Sequence, residues 1–403
     1  MRLLPLIAIV CLVAIGVTPN SFSAEPVLLP VESLERGWIQ LFDGRTLFGW
    51  QAGSAVNWRV EEGAIVADRG EIGVLYTTTQ FSDYVLRLEF AADTDTNSGI
   101  FIHTPPQPTD PRRDCYEVNI AGPENPFPTG SVVDVWKRPN PPPTPRTPWR
   151  TYEIKVLGDT LAIALDGAPL AALPASVRLH SLRRGHIGLQ FNHGRIAFRN
   201  IRLRPLGLRP MFHGKDLTGW NTRRADKSHF EVTGSGELQV RNGRGQLETN
   251  RTYGDFVLQL ACYVNGAKLN SGIFFRCIPG DYMKGYECQI HNGYADGDPT
   301  RPLDCGTGGI YRRQSARRIV AKDFTWFYET LIADGPHMAA WVNGYQVSDW
   351  TDTRAPHENP RKGLRVAPGT IAIQGHDPTT DLRFRDLRIV ELPPRAASSA
   401  EDP

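Results

Sequence analysis

Two short segments of this 403-residue chain bring an acid, amides and imidazoles onto one face of a strand. In Gly285-Tyr286-Glu287-Cys288-Gln289-Ile290-His291, the strand period of two puts Tyr286, Cys288 and Ile290 on one face and Glu287, Gln289 and His291 on the other. In Thr370-Ile371-Ala372-Ile373-Gln374-Gly375-His376, Ile371 and Ile373 oppose Ala372, Gln374 and His376. A third strand sets Arg276 opposite Phe275 and Cys277. The small Ala372 leaves room for a ligand to approach the polar face. An acid, a histidine, an arginine and amides on one face could bind a sugar and move protons on it. The carboxylate oxygens and imidazole nitrogens could equally hold a divalent metal ion of unspecified identity. The plainer alternative is an outer sheet face that is simply wet.

The pattern occurs twice. Earlier in the chain Tyr116, Val118 and Ile120 point one way and Glu117 and Asn119 the other. Ile187 and Leu189 oppose His186, Gly188 and Gln190, and His103 stands where the later copy has Arg276. The rest of the chain follows the same repeat. Phe42-Asp43-Gly44 through Gly49-Trp50 returns as Phe212-His213-Gly214 through Gly219-Trp220, and Asn97-Ser98-Gly99-Ile100-Phe101 as Asn270-Ser271-Gly272-Ile273-Phe274. Tyr152-Glu153 is matched with Tyr328-Glu329, and Phe198-Arg199-Asn200-Ile201 with Phe384-Arg385-Asp386-Leu387. Preserved order over about 170 residues per unit indicates duplication of a whole domain. The expected division is 25–207 and 208–392, with a boundary near Leu206–Arg209.

Strands must carry these residues. Tyr84–Phe90, Tyr152–Val156, Phe198–Leu203, Phe256–Leu260 and Phe384–Ile389 alternate apolar and polar residues. Asp166-Gly167 and Asn343-Gly344 predict tight hairpins. No long segment has helical periodicity, and 38 Gly and 32 Pro suit many turns. The fold class expected is all-β, a sandwich or jelly roll in each half. Pro139–Pro148 reads as an extended loop and residues 393–403 as a disordered tail. Trp50, Trp220, Trp341 and Trp350 are read as core residues before sugar platforms.

Composition narrows the partners. A net charge of +2 gives no reason to expect nucleic acid or an anionic membrane. Arg2, the apolar run Leu3–Val17 and Ser21-Phe22-Ser23-Ala24 read as a signal peptide ending at residue 24, so a periplasmic or extracellular location is expected. No later segment is apolar enough to span a membrane. Removing that segment takes Cys11 and leaves Cys115, Cys262, Cys277, Cys288 and Cys305, an odd set without a zinc-type spacing. Cys305-Gly306-Thr307-Gly308-Gly309 lacks the lysine of a phosphate loop. Arg312, Arg313, Arg317 and Arg318 form a basic cluster, a solvated loop by default or a contact for a polyhydroxylated or anionic substrate.

Taken in order, the FxGxxLxGW opening, NSGIF, CYEVNI and GYECQI, the WVNG hairpin, GHIGLQ and GTIAIQGH, and FRNIRL and FRDLRI resemble the 3-keto-disaccharide hydrolase domain. The resemblance covers roughly 37–206 and 209–392. It implies tandem concanavalin-like jelly rolls acting on glycosides oxidised at C3 of the sugar. A C3 ketone acidifies the C2 proton. A base removes that proton, the C1 substituent leaves, and water adds back. Strand faces then suggest Glu287 or His291 as base, His376 as acid, and Arg276 or a metal as electrophile. Gln289, Gln374, Arg312 and Arg313 would bind substrate, as would Glu117, Asn119, Gln190 and His103 in the first copy. Ala121 stands in place of His291, and no basic cluster matches Arg312–Arg318, so the main site is expected in the second copy. The first copy could then be a binding module, or a second site with different chemistry. The rival for the whole chain is a non-catalytic carbohydrate-binding or cell-surface protein.

Overall fold

Alternating strands must bury one face, and in each half of the chain they do so by stacking two antiparallel sheets. The computed structural model describes residues 25–140, 149–174 and 182–394. The signal segment, most of Pro139–Pro148 and nearly all of the C-terminal tail lie outside them. Among the described residues the only α-helices are Val31–Glu35 and Pro111–Asp114.

Each half pairs an eight-stranded sheet with a five-stranded one. The second five-stranded sheet runs in the order Trp220–Arg223, Gly245–Thr249, Thr370–Gly375, Ser271–Cys277 and Tyr286–Ile290. Its counterpart runs Trp50–Ala52, Gly73–Thr77, His186–His193, Asn97–Thr104 and Tyr116–Ala121. The large sheets centre on Tyr84–Ala92 with Ile196–Pro205, and on Phe256–Val264 with Asp381–Glu391. The first pair of sheets draws on residues up to Pro205, and the second begins at Arg209–Pro210, which pairs with Arg388–Ile389.

The cores follow the alternation. Tyr116, Val118, Ile120, Ile187 and Leu189 are buried between the first two sheets, and Tyr286, Cys288, Ile290, Ile371 and Ile373 between the second two. Each large apolar side chain buried in this way contributes roughly 1.5–3 kcal/mol. Both expected hairpins form, with Asp166 and Gly167 at φ 52° and 80°, and Asn343 and Gly344 at 49° and 75°. Positive φ at both central residues gives the turn twist that strand pairs accept. Trp50, Trp220 and Trp341 are buried and Trp350 partly so. None of the five cysteines among the described residues is in a disulfide.

One matched pair is out of register. Leu88 faces Tyr152, whereas Leu260 faces Glu329, so Tyr152 corresponds to Glu329 rather than to Tyr328. A one-residue slip exchanges faces. Tyr152 is buried and donates its hydroxyl to the Asn119 carbonyl at 2.6 Å. Glu329 takes that place with both oxygens buried, beside the Cys288 thiol.

The halves share a buried seam. Val257, Ile332, Ala339 and Trp341, on the outward face of the second large sheet, belong to one apolar cluster with Ile39, Leu41 and Phe42. The Trp341 indole donates to the Gln40 carbonyl at 2.9 Å.

Candidate active site

The outer face of the second five-stranded sheet carries two rows of side chains. Register sets Gln246 beside Gln374, and Gly272 beside Gln289, in one row. Glu248, Ala372, Phe274 and Glu287 form the next. This face is dry. Glu287 is 5% exposed, Gln289 1% and Gln374 4%. Three connecting segments roof it. The turn after Cys277 packs Met283 against Phe274 and Ala372. It is pinned by Gln246, which accepts from the Met283 amide at 2.8 Å, and by Glu248, which accepts from the Gly280 amide at 2.9 Å. The Gly308-Gly309 turn pairs with the Gln289 backbone at 2.9 and 2.8 Å. The long connection between Tyr345–Thr351 and Thr370–Gly375 supplies Arg361.

Glu287 occupies the space above Gly272, where an added Cβ would lie 2.8 Å from its Oε1. Its Oε2 accepts from Arg361 at 2.8 Å. Burial pushes the Glu287 carboxyl up to about 7, although Arg361 and the His376 charge pull it down. A carboxyl poised there can give or take a proton near neutral pH. Arg361 also stands over Phe274, 5.1 Å from the ring centre, and its carbonyl accepts from Arg313 at 2.8 Å. His376 is half-exposed at the end of its strand, and its Nδ1 lies 2.7 Å from the Asp377 carboxylate. Burial works against ionisation of Asp377, but its bonds to Thr379 and His376 outweigh it and lower its pKa.

The amides bracket the acid. Gln289 donates to Asp304 at 2.8 Å and leaves its buried Oε1 without a partner. Gln374 reaches only the Met283 sulfur, at 3.7 Å, and its Oε1 is also unpartnered. Two unpaired buried acceptors at the edge of a carboxylate suit a ligand with hydroxyl groups.

The structure gathers Glu287, Gln289, Gln374 and His376 and adds Arg361, Asp304 and Asp377. It does not gather Arg276. A bulge between Phe274 and Cys277 turns this residue, at φ 48°, away from the polar face. Its guanidinium is fully buried against the Asp255 carboxylate and the Gly254, Gly335 and Arg365 carbonyls. His103 departs for the same reason, at φ 56°, with its ring between the Leu182 and Ser82 carbonyls. His291 lies beyond the last paired residue. Its Nδ1 accepts from the Gly293 amide at 3.2 Å, and burial lowers its pKa against the pull of Asp304 and Asp323. Arg312 is exposed and stacks 5.2 Å from the Tyr311 ring, which Arg361 approaches at 5.5 Å. Arg313 acts through the Arg361 backbone.

Arg361 had no signal in the sequence, because it lies in an irregular connection. Gln246 and Glu248 did have one, since Gln246-Leu247-Glu248 alternates like the other strands.

In the first domain Glu117 stands over Gly99 in the same way, with an added Cβ 2.8 Å from its Oε1. Burial pushes it too to about 7, with a Gln190 hydrogen bond lowering it and Asp134 raising it. Asn119 donates to the Phe127 carbonyl and, like Gln289, leaves its buried Oδ1 without a partner. Val74, Tyr76 and Phe101 make the rest of the face apolar. Gln190, Phe101, Val74 and Ile72 line a depression of about 300 Å3 there. His186 is buried against the Thr77 carbonyl, and His193 is exposed.

Among the described residues, no group of three or more His, Cys, Asp or Glu side chains is arranged to hold a metal ion. Glu287 is engaged by Arg361 and His376 by Asp377, so the residues present do not fit a resident metal.

The sequence profile of the 3-keto-alpha-glucoside-1,2-lyase-like domain matches the chain twice, over residues 37–204 and 207–390. Among solved structures, two candidate glycosyl hydrolases from Parabacteroides distasonis ATCC 8503 are similar at 17% and 22% identity. They cover 45% and 46% of this chain and 100% of their own, with TM-scores of 0.39 and 0.37. The carbohydrate-binding module CBM66 from Bacillus subtilis is similar at 15% identity, over 39% of this chain and 95% of its own, with a TM-score of 0.30. No curated protein matches the chain.

Proposed function

The chain belongs to the 3-keto-alpha-glucoside-1,2-lyase-like family, whose domain it carries twice, and on that premise we propose that its second domain cleaves 3-keto-glycosides or 3-keto-disaccharides. A carbohydrate-related role follows from the family. The cleavage reading is carried by one observation: Glu287, buried above Gly272 and facing Arg361, is poised near neutrality.

As a carboxylate, Glu287 takes the proton from C2 of the oxidised sugar. The C2–H electron pair moves toward the C3 ketone and gives an enolate. Arg361 is the cation beside the base and takes the role first considered for Arg276, offering N–H donors where negative charge develops. The enolate then expels the C1 oxygen, forming the C1–C2 double bond. His376, held by its Nδ1 at 2.7 Å from the Asp377 carboxylate, donates the proton to that oxygen. Water adds back across the double bond, so the net change is hydrolysis. Gln289 and Gln374 offer free carbonyl oxygens to sugar hydroxyls.

The first domain supports binding without this chemistry. It sets Asp134 near Glu117, and its face is mostly apolar around Gln190. An exported location belongs to the same reading and rests on the apolar run Leu3–Val17. Among the described residues no helix is long and apolar enough to cross a membrane.

The test is incubation of the full chain with a 3-keto-disaccharide and with its unoxidised parent. Cleavage of the oxidised sugar alone, with solvent deuterium entering C2, is expected. Binding of the parent with turnover of neither sugar would replace the enzyme with a carbohydrate-binding protein.

A further inference from the structure

The first domain touches the framework of the second-domain site through buried charge. Arg184 precedes the His186–His193 strand, and its side chain is almost fully buried. Its guanidinium lies 2.8 Å from Asp255 and 3.2 Å from Asp334, both in the second domain. Asp255 holds Arg276 at 2.8 Å through its other oxygen, which also accepts from the Gly335 amide at 2.8 Å. Burial opposes ionisation of Asp255, but the Gly335 amide and the two guanidinium groups prevail and lower its pKa.

Arg276 passes the connection on. It donates to the Arg365 carbonyl at 3.2 Å, four positions after Arg361 in the same segment. The Arg365 amide donates to the Tyr286 hydroxyl at 2.9 Å, and that hydroxyl donates to Asp352 at 2.7 Å. The segment that presents Arg361 is therefore fastened at its start by Tyr286 and near its end by Arg276. A second tie reaches the neighbouring roof. Arg317 donates to Asp43 at 2.9 Å and lies between the Phe48 and Tyr345 rings, 4.2 Å from each centre.

We propose that Arg184 of the first domain is a positioning residue for the second-domain site, acting through Asp255 and Arg276 on the segment that carries Arg361. The inference rests on the reading of Glu287 and Arg361 given above. It explains why a bulge diverts Arg276 from the polar face: that side chain links the domain seam to the active-site roof. A buried cation with two carboxylates is a costly way to obtain stability alone, since desolvation offsets much of the attraction. It is an effective way to fix one geometry.

The experiment follows the Glu287 carboxyl, which faces Arg361, His376 and Asp304, by NMR of the full chain labelled at the glutamate carboxyl carbons. R184A should let Arg361 drift, and the Glu287 midpoint, about 7 in the native protein, should rise. kcat at pH 7 should fall on the order of 10-fold with a smaller change in KM, as expected for lost alignment. R184K keeps the charge and should restore most of both. R184M/D334N removes one charge of each sign and should show the same rise should R184A fail to fold. An unchanged Glu287 midpoint in folded variants would overturn the proposal even with a lowered Tm, and so would failure of R184K to restore it. Absence of turnover in the native protein would instead remove the catalytic reading, while the titration would still decide the role of Arg184.

Discussion

The two five-stranded sheets share one scaffold and differ in what stands around the same glutamate. Glu117 and Glu287 both lie over a glycine, and burial raises both to about 7. Glu287 then meets a guanidinium from a long connection, whereas Glu117 meets a glutamine and the field of Asp134. The turns are related: Asp134 at φ 56° and Arg312 at φ 57° each follow a residue whose amide pairs with the glutamate's own carbonyl. The sign of the charge at that position is reversed. A buried carboxyl beside a cation can be a base with an electrophile at hand. The same carboxyl beside another acid favours its neutral, hydrogen-bonding form. Duplication supplied the acid twice and set it in two different electrostatic surroundings.

The largest expected effect separates the copies. Glu287→Gln should keep the fold, read as an unchanged Tm, and lower kcat on 3-keto substrate by roughly 10²–10⁴-fold. Equal loss from Glu117→Gln would mean two working sites, and a larger one would reverse the assignment. Arg361→Ala should cost about 10²-fold or more in kcat, the scale of losing a donor to a developing oxyanion. It should also move the rising limb of the pH–rate profile, set near pH 7 by Glu287, to higher pH, because the cation that favours the carboxylate is gone. A limb that moves down, or stays, would detach Arg361 from Glu287.

The cores offer a smaller contrast. Burial raises the Glu329 carboxyl to about 7 where the first domain has Tyr152. The folded protein then binds the proton more tightly than the unfolded chain does. Its contribution is fully present below about pH 4.5 and is lost as pH rises through about 7, a span of about 3 kcal/mol. Glu329→Gln should flatten that part of the stability–pH curve in urea unfolding; an unaltered slope would show that Glu329 is ionised when buried. The smallest expected effect is in the first domain. Asp134→Arg should lower the Glu117 midpoint in an NMR titration by removing the raising charge, and turnover by the second domain should not change.

Much of this was legible before folding. The alternation around Glu117, Glu287, Gln190 and Gln374 assigned those side chains to the outer faces correctly, because a strand offers two sides and the apolar set takes the core. Asn-Gly and Asp-Gly marked real hairpins because few other residue pairs tolerate two successive positive φ angles. Alternation failed where pairing is irregular. It put Arg276 and His103 on the polar face, and a bulge turned both away. The repeat aligns Tyr328-Glu329 with Tyr152-Glu153, but a one-residue slip in register puts Glu329 into the core. Alternation extends to His291, but the strand ends at Ile290.

What the sequence determined by itself is local and periodic: two copies, all-β halves, their turns, and the face on which each strand residue stands. Those follow from backbone geometry and the exclusion of apolar groups from water, which act between neighbours along the chain. Only the tertiary structure decided that the polar face is dry, that Arg361 is the cation at Glu287, and that Arg184 of one domain is fastened to the site framework of the other. These depend on irregular segments and distant residues meeting in space. A carboxyl acquires a pKa near neutrality from the loops that roof it, and no spacing in the chain encodes which loop that will be.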